Sequence, residues 1–572
     1  MTARRMAFIA GLVGALATVA RRTRRPAYTI STTPGPTPPT ASPDDAVPVV
    51  PSSSAIEAES TATPDEPGLA LPPGWEAGEV APPRPAARSA RSGPLRGISE
   101  IRRFFHANDV PVWLVAPSPF ALLGVDRWVR RTTFVSHYDS FDGAHPNVLV
   151  PMRPVSAGVE SLESINGRLV AHEELVARVR AAGGGKVVIL PADAETEQLA
   201  VSLGLELAAA PASLRDRLAS RIESTRLAEE VGLRSAPHVL GSARSYEGLV
   251  SLAEGAGLGR DLVVQTATPS RDRSTTFVVS TREDWDAHAA ELTGQHLKVM
   301  QRITCGRVSI DGVVTRHGTL VAPRPTEVIE LPASPPLARA RCTEDAALDD
   351  AQRALARGHA HRVGDRMGDE GYRGAFTLDL LHEAVTGSLY LSGLHPGVRG
   401  TSSLSNVGAV ARGEMPPFLF HLLEFMDVEY ELDLDALDAA WARQTAVERS
   451  STLVLTDPAD RIELITEAPR SGIWRIAPDA HGGVRYLRDE LDWHSVAGSD
   501  EAFYLKLAGE GEYRQPGADL GVLVVRGGLA DGREPTDRAR RWIEGITSQF
   551  WTAPAPVAPP ARSGQSLSLG PH

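Results

Sequence analysis

The chain has 572 residues, of which 42% are apolar and 23% are charged, and its formal net charge is -12. This length predicts several domains, and the acidic balance excludes a surface that tracks nucleic-acid phosphates, because such a surface needs clustered Lys and Arg. The two cysteines, Cys305 and Cys342, belong to no CxxC motif and no Cys/His cluster, which excludes a disulfide framework and a zinc site.

The N-terminal segment 1–25 is apolar between two basic clusters. Residues 6–20 are apolar, and arginines stand on both sides of them. The apolar run is shorter than the roughly 20 residues that a membrane-spanning helix needs, and basic residues directly after it oppose translocation. We therefore expect a cytoplasmic protein with an N-terminal extension. The alternative is a membrane tether through this segment.

Two further stretches are too poor in large apolar side chains to form a core. Residues 26–96, with runs such as "STTPGPTPPTASPDD", and residues 552–572 are rich in Pro, Ser and Ala. Such sequences bury too little apolar surface to offset the entropy lost on ordering. We predict a disordered linker and a disordered tail.

Residues 97–210 alternate between strand and helix patterns. The runs "VPVWLVA" (110–116) and "KVVIL" (186–190) are typical of buried strands, and a helix pattern around 195–203 ends at Gly204. Strand, loop, helix and strand in this order predict a doubly wound α/β domain with a parallel sheet.

One loop of this first domain gathers polar side chains. The sequence "VSHYDSFDGAHPN" brings His137, Asp139, Asp142 and His145 together after a strand. Loops at the carboxyl ends of parallel strands bind ligands in open α/β sheets, so the loop is a candidate part of a substrate pocket. Loops of this composition are also common as plain surface turns, and both interpretations stay open.

Residues 211–414 follow a different pattern. We predict one long helix over 213–233, a hairpin over 261–280, and a second hairpin, "AFTLDLLHEAVTGSLYLSGLH", with Asp379 on its first strand. An antiparallel sheet after a parallel one predicts a domain boundary near residue 210 and a mixed α/β and α+β architecture.

Residues 415–551 predict a small C-terminal α+β domain. A helical stretch is followed by the strand patterns "SGIWRI" and "GADLGVLVVRGG". The last helix pattern places four large apolar side chains on one face, namely Trp542, Ile543, Ile546 and Phe550.

The order of these parts resembles the ATP-grasp superfamily, most closely its biotin-carboxylase-like branch. "LASRIESTRLAEEVGLRSAPHVLG" is similar to the family helix that starts at "DK" and ends in "AGVP.P", and "DLVVQTATPSRDRSTTF" resembles the phosphate-covering hairpin "VVVKP...GGGS.GV". "KVMQRI" resembles the hinge strand "VLVEKYI", and "AFTLDLLHEAVTGSLYLSGLHPGVRGTS" is similar to "G.v.VDfl.d..G..y.lEiNpR..Gt". The resemblance covers roughly residues 97–550. It implies a parallel pre-ATP-grasp domain, a two-lobed ATP-grasp domain with antiparallel sheets, and a small C-terminal domain.

Family members use ATP and magnesium to convert a carboxylate into an acyl phosphate, which an amine or another nucleophile then attacks. The resemblance therefore implies ATP and Mg²⁺ or Mn²⁺ as cofactors and a small carboxylate as substrate, and it allows a homodimer. It identifies neither the acid nor the nucleophile.

Several nucleotide-binding positions carry replacements when the family pattern is placed on this sequence. Arg221 stands where the helix-start lysine belongs, Gln265 replaces the lysine of "VVK", and Gln301 replaces the hinge glutamate. Lys298 lies on the strand that leads to the hinge and either reaches a phosphate or lies along an edge strand. We predict that all four residues bind ATP.

The flap over the phosphates is altered in the same way. It reads "TPSRDRSTT", with Pro269 and no glycine, so it lacks a continuous row of backbone N–H donors. Side chains would then meet the phosphates instead, and the candidates are Arg271, Arg273, Ser274 and Thr275.

The metal positions are only partly kept. Placing "LSGLHPGVRG" on "LEINPR" puts Gly393 at the metal-bridging glutamate and His395 at the asparagine, while Asp379 retains the other acidic position. Asp379 and His395 are therefore the predicted metal ligands, a pair that suits Mn²⁺ better than Mg²⁺. The alternatives are a strand-end carboxylate paired with Arg373 or Arg399, and a turn histidine.

Gly397 replaces the arginine of this motif, and spacing alone suggests that Arg399 takes over its catalytic role. These replacements leave two hypotheses. The chain is a working or weakened ATP-dependent carboxylate ligase, or it is a non-catalytic scaffold or regulatory protein that kept the ATP-grasp fold.

Overall fold

The computed structural model describes the residues 93–152, 162–268, 275–331, 339–383, 385–399, 403, 405–406, 415–443, 449–457, 462–514 and 517–554. The predicted segment 1–25, most of the predicted linker and nearly all of the predicted tail lie outside these residues. Within the described part of the chain, no helix is both long and apolar enough to cross a membrane.

The first sheet is parallel, as predicted. Its five strands are, in order across the sheet, Val148–Leu149, Thr132–Ser136, Val112–Ala116, Gly185–Ile189 and Leu205–Leu207. The helices of this part of the chain are Gly97–His106, Leu162–Ala171, Glu173–Ala182 and Ala194–Ser202. The last of them begins after Asp193, whose carboxylate accepts the backbone N–H of Thr196 (2.8 Å), as a helix N-cap does.

A second, four-stranded sheet is antiparallel. Its strands are, in order, His238–Gly241, Leu297–Gln301, Leu262–Thr266 and Thr276–Val279. The helices Tyr246–Gly255, Arg282–Ala287 and Ala289–Leu292 accompany it, and side chains of both layers share one apolar cluster. The hairpin predicted over 261–280 is confirmed.

The largest sheet has eleven strands and is antiparallel throughout. Ten of them follow one another across the sheet as Leu389–Pro396, Gly374–His382, Gly306–Thr315, Thr326–Leu331, Arg339–Asp345, Ser450–Thr456, Asp519–Arg526, Glu501–Lys506, Gly472–Ile476 and Val484–Arg488. Gly318–Val321 pairs beside this path, with the third of these strands. The long helix Asp350–Asp369 packs its apolar side against the sheet.

This sheet continues across residue 414, because Arg339–Asp345 pairs with Ser450–Thr456. The predicted C-terminal domain therefore shares its sheet with the part of the chain before it, although the domain boundaries themselves stay predictions. The mixed α/β and α+β architecture is confirmed by the parallel sheet and the large antiparallel sheet.

The C-terminal part also contains the α-helices Pro417–Glu424, Leu434–Arg443 and Asp537–Thr547 and the short strands Tyr430–Glu431, Glu463–Glu467, Tyr513–Arg514, Ala530–Asp531, Glu534–Pro535 and Trp551–Pro554. The strand Leu95–Arg96, near the start of the described residues, pairs in parallel with Tyr430–Glu431. Three of the four apolar side chains predicted for the last helix lie on it, and all four are buried in one cluster. Phe550 follows the helix, which ends at Thr547.

One predicted element is wrong. The helix expected over 213–233 is two helices, Ala212–Ala219 and Arg221–Glu230, separated by Ser220 in an extended conformation (φ -54°, ψ 130°). Neither Gly nor Pro marks the break, so the sequence gives no local signal for it. The break makes Arg221 the first residue of a helix, and its backbone N–H donates to the carbonyl of Ala267 (2.7 Å) instead of continuing a helix.

Candidate functional site

Three elements that carry predicted site residues meet at one end of the eleven-stranded sheet. They are the hairpin of Gly374–His382 and Leu389–Pro396, the start of the helix Arg221–Glu230, and the strand Leu297–Gln301 of the four-stranded sheet. Ser235, which follows the helix, forms a parallel bridge with Leu391 of the hairpin. The site therefore lies where the two antiparallel sheets approach each other.

Asp379 has three side-chain donors. Its Oδ1 accepts from Ser309 Oγ (2.6 Å), and its Oδ2 accepts from His395 Nε2 (2.8 Å) and from Arg399 (2.9 Å). The ion pair with Arg399 that the sequence allowed is thus present, whereas Arg373 donates to backbone carbonyls. Both carboxylate oxygens are engaged by the protein itself.

The charges in this network follow from its donors. Burial by itself raises the pKa of the Asp379 carboxyl, but the Arg399 guanidinium and the His395 contact bring that pKa well below its usual range. An ionised carboxylate only accepts, so the His395 Nε2 carries the proton. Burial and the nearby Arg399 lower the pKa of His395, which favours a neutral imidazole.

A β-bulge next to Asp379 positions Arg221. Asp379 pairs with Gly393 and Leu380 pairs with Leu391, so Ser392 is the extra residue between them. The Ser392 carbonyl accepts from the guanidinium of Arg221 (3.0 Å). A Cβ atom on Gly393 would lie 3.0 Å from Arg221 Nη1 and 3.3 Å from His395 Nε2. The arginine therefore stands where a side chain at position 393 would extend.

Lys298 is the most buried cation of the site. Its ammonium donates to Ser235 Oγ (2.7 Å), and the residue is 1% exposed. Burial, followed by repulsion from Arg221, lowers the pKa of Lys298 to about 7. Burial also lowers the pKa of Arg221, and its Nε has no partner within the described part of the chain.

Gln265 lies directly beside Lys298, since the two residues are paired across neighbouring strands. Its amide donates to Thr276 Oγ1 (3.1 Å), while its buried Oε1 has no partner among the described residues. Gln301 ends the same strand as Lys298 and is exposed. The Thr275 carbonyl accepts from the backbone of Thr266 (3.1 Å).

The structure thus brings Arg221, Asp379, His395 and Arg399 together and places Lys298 beside Gln265. The remaining flap candidates, Arg271, Arg273 and Ser274, lie outside the described residues. Their proposed phosphate contacts stay predictions.

Two serines of the site were not predicted. Ser309 faces Asp379 across paired strands, and Ser235 accepts from Lys298. Ser309 stands in a strand pattern and Ser235 in a loop, so neither carries a sequence signal of its own. The register of strands 70 residues apart along the chain is what identifies Ser309.

The side chains of the site do not offer the oxygen ligands that a divalent cation needs. Mg²⁺ and Mn²⁺ need several oxygen ligands, but Asp379 already accepts from three side chains, one of them an arginine. Across the described residues there is no group of three or more His, Cys, Asp or Glu that could hold a metal ion. The metal assignment to Asp379 and His395 stays a prediction that this geometry does not favour.

The His/Asp loop of the first domain borders a cavity of about 230 Å³. Asp139 accepts the backbone N–H groups of Phe141 and Gly143 (3.2 and 3.1 Å), and Asp142 forms an ion pair with Lys506. Burial lowers the pKa of His145. Two of these side chains therefore hold the loop in place, and its role as a substrate pocket stays a prediction.

Lys298→Met is expected to change how stability depends on pH. The folded-state pKa of Lys298 is about 7, against about 10.5 for an unperturbed lysine, so unfolding takes up a proton between these two pH values. The wild-type free energy of unfolding should therefore rise with pH in this window, by at most about 1.4 kcal/mol per pH unit, and the variant should lack this contribution.

Urea unfolding of both proteins from about pH 7 upward measures the difference between the two slopes. Lys186→Met is the matched control, because Lys186 is also buried but is ion-paired with Glu206 and Asp427. Equal slopes in wild type and Lys298→Met would contradict the lowered pKa.

No protein-family model matches the chain, and no curated protein sequence matches it. The fold, however, is similar to solved structures. The biotin carboxylase of Campylobacter jejuni, in its β-γ-ATP complex, is 12% identical over 78% of this chain and 92% of that one, with a TM-score of 0.52. The biotin carboxylase domain of the 2-oxoglutarate carboxylase of Hydrogenobacter thermophilus is 10% identical over 78% and 91%, with a TM-score of 0.50.

A third similar structure is the pyruvate carboxylase of Rhizobium etli, which is 12% identical with a TM-score of 0.51. The match covers 78% of this chain but 39% of that much longer one. At such identities the likeness shows the fold alone. The fold is the one that the order of sequence motifs predicted, and the chain has the ATP-grasp fold in its biotin-carboxylase-like form.

Proposed function

We propose that this chain is a nucleotide-binding ATP-grasp protein whose carboxylate-ligase turnover is weakened or lost. The nucleotide would bind where the two antiparallel sheets approach each other, with Arg221, Lys298 and Gln265 near its phosphates. The observation that carries the proposal is the state of Asp379, whose carboxylate already accepts from Ser309, His395 and Arg399.

Binding and turnover make different demands on such a site. Binding needs positive charge and donors near the phosphates, which Arg221 and Lys298 supply. Turnover also needs strong stabilisation of the charge that develops on the transferred phosphoryl group, and metal ions commonly provide it. A site with one engaged carboxylate and glycine at position 393 retains the first property and lacks much of the second.

A second candidate is a scaffold or regulatory protein that performs no chemistry. The Asp379 network favours it, because side chains of the protein itself engage both carboxylate oxygens without any ligand. The two candidates share the fold and differ in whether nucleotide binds. A small carboxylate substrate, a homodimer and a cytoplasmic location stay predictions under either candidate.

The test is calorimetric titration of the full chain with ATP in buffer containing Mg²⁺, then Mn²⁺, then EDTA. We expect saturable binding in at least one of these conditions, with little or no ADP release above that of a protein-free control. Absence of ATP binding in all three conditions would contradict the proposal and support the scaffold. Sustained ADP release that depends on a carboxylic acid would instead identify a working ligase.

A further inference from the structure

Cations outnumber anions around Asp379. Arg221, Lys298 and Arg399 all act electrostatically on this region, and Arg307 adds a further positive charge that lowers the pKa of Arg221, after burial and Arg399. Two carboxylates act on these cations, namely Asp379, whose oxygens are engaged, and Glu229, which raises the pKa of Lys298. Among the described residues the site therefore holds more positive than negative charges.

Part of its hydrogen-bonding capacity is also unused. The Nε of Arg221 is buried without a partner in the described part of the chain, and the Lys298 ammonium, which has three protons, makes one hydrogen bond there, to Ser235. Buried donors that lack acceptors are unfavourable, and an anion that accepts from them removes that cost. Both donors belong to side chains that lie where the two antiparallel sheets approach each other.

We infer that this site binds the phosphate groups of its nucleotide without a divalent cation, and that Arg221 and Lys298 supply the positive charge. The inference rests on the proposed function, since it concerns how the same nucleotide is held. It departs from what the fold would imply, which is a metal bridged by two carboxylates.

The position of Arg221 is the main geometric reason. Its guanidinium lies 3.0 Å from where a Cβ of residue 393 would be and donates to the neighbouring Ser392 carbonyl. A fixed positive charge at the place of a metal-bridging carboxylate repels a divalent cation and attracts phosphate oxygens. The protein cation thus replaces part of the metal's charge.

Lys298 makes the inferred binding depend on pH. The groups that act on it are Arg221, Glu229 and His238, and the last has its own pKa lowered by burial and by Lys298. Without ligand the pKa of Lys298 is about 7, and a phosphate oxyanion nearby should raise it. Above about pH 7 binding should therefore take up as much as about one proton per ligand.

The test compares ATP titrations of the full-length protein in EDTA and in excess Mg²⁺, in buffers of different ionisation enthalpy. We expect the affinity in EDTA to match or exceed that in Mg²⁺, with proton uptake above neutral pH. Lys298→Gln should weaken ATP binding in EDTA by about tenfold or more. The control Lys186→Met, a buried and ion-paired lysine of the parallel sheet, should leave it unchanged.

Each outcome decides the inference. Binding that requires a divalent cation would overturn it and leave the proposed function standing, whereas no binding in EDTA, Mg²⁺ or Mn²⁺ would overturn both. Unchanged EDTA affinity in Lys298→Gln would also overturn it. If that variant fails to fold, as judged by circular dichroism, the comparison of EDTA with Mg²⁺ and the proton uptake of the wild type still decide.

Discussion

Replacing Asp379 by asparagine should lower the free energy of unfolding by about 3 kcal/mol, because it removes the one anion that three side chains share. Arg399 would lose its ion-pair partner in a setting where it is 15% exposed, and Arg221 would lose its favourable interaction with the carboxylate. An amide keeps the shape and one acceptor but not the charge. The effect is therefore electrostatic in origin.

Urea unfolding of the wild type and of Asp379→Asn, with a check that the m-values agree, measures this loss. Asp109→Asn is the control, because Asp109 and its partner Arg130 are 3.3 Å apart and mostly exposed, so their pair adds little. A loss of less than about 1 kcal/mol in Asp379→Asn would show that the network is not a main source of local stability.

The loss of this interaction in acid can be checked by comparing the stability of the wild type and of Asp379→Asn at different pH values. Because the folded-state pKa of Asp379 lies well below its usual range, its contribution is present above the unfolded pKa of an aspartate and is lost as the pH falls below that value. Asp379→Asn lacks this carboxylate, so the stability difference between the two proteins should shrink in acid. A difference that stays constant down to strongly acidic pH would contradict the assignment.

The sequence predicts the architecture of this site better than its chemistry. Strand periodicity and turn residues identify both hairpins, and the order of motifs identifies the fold, because each of these signals is local or depends only on chain order. The break between the two helices at Ser220 cannot be predicted from such signals. It is accompanied by a hydrogen bond from the backbone of Arg221 to the carbonyl of Ala267, which is a tertiary contact.

The contacts of Asp379 also divide into those that the sequence suggests and those that depend on tertiary structure. That it lies on a strand can be read from "FTLD", and a pairing with Arg399 can be considered from spacing. The strand-end position expected for Asp379 is wrong, because the strand Gly374–His382 continues three residues beyond it. Its contact with Ser309 requires the register of two strands that are distant in sequence, and the place of Arg221 beside Gly393 requires the bulge at Ser392. Whether a retained carboxylate is available to a metal is thus a tertiary property.

The double variant Gly393→Glu with His395→Asn restores the metal-binding pattern that the resemblance implies and should reverse the metal preference of the site. A glutamate side chain at position 393 begins 3.0 Å from Arg221 Nη1, so its carboxylate would pair with that guanidinium. Loss of one free positive charge should weaken ATP binding in EDTA by about tenfold or more. Added Mg²⁺ should then restore binding, because two carboxylates and the phosphates offer it oxygen ligands.

Gly393→Gln with His395→Asn is the matched control, since glutamine has nearly the same volume as glutamate and carries no charge. Steric displacement of Arg221 would affect both double variants alike, whereas the proposed charge effect requires the carboxylate. Equal losses of ATP affinity in the two variants, with no rescue by Mg²⁺ in either, would mean that position 393 is not the metal-bridging position of the fold. Rescue by Mg²⁺ in the glutamate variant alone would instead show that a single charge at this position decides whether phosphate is held by arginine or by a metal ion.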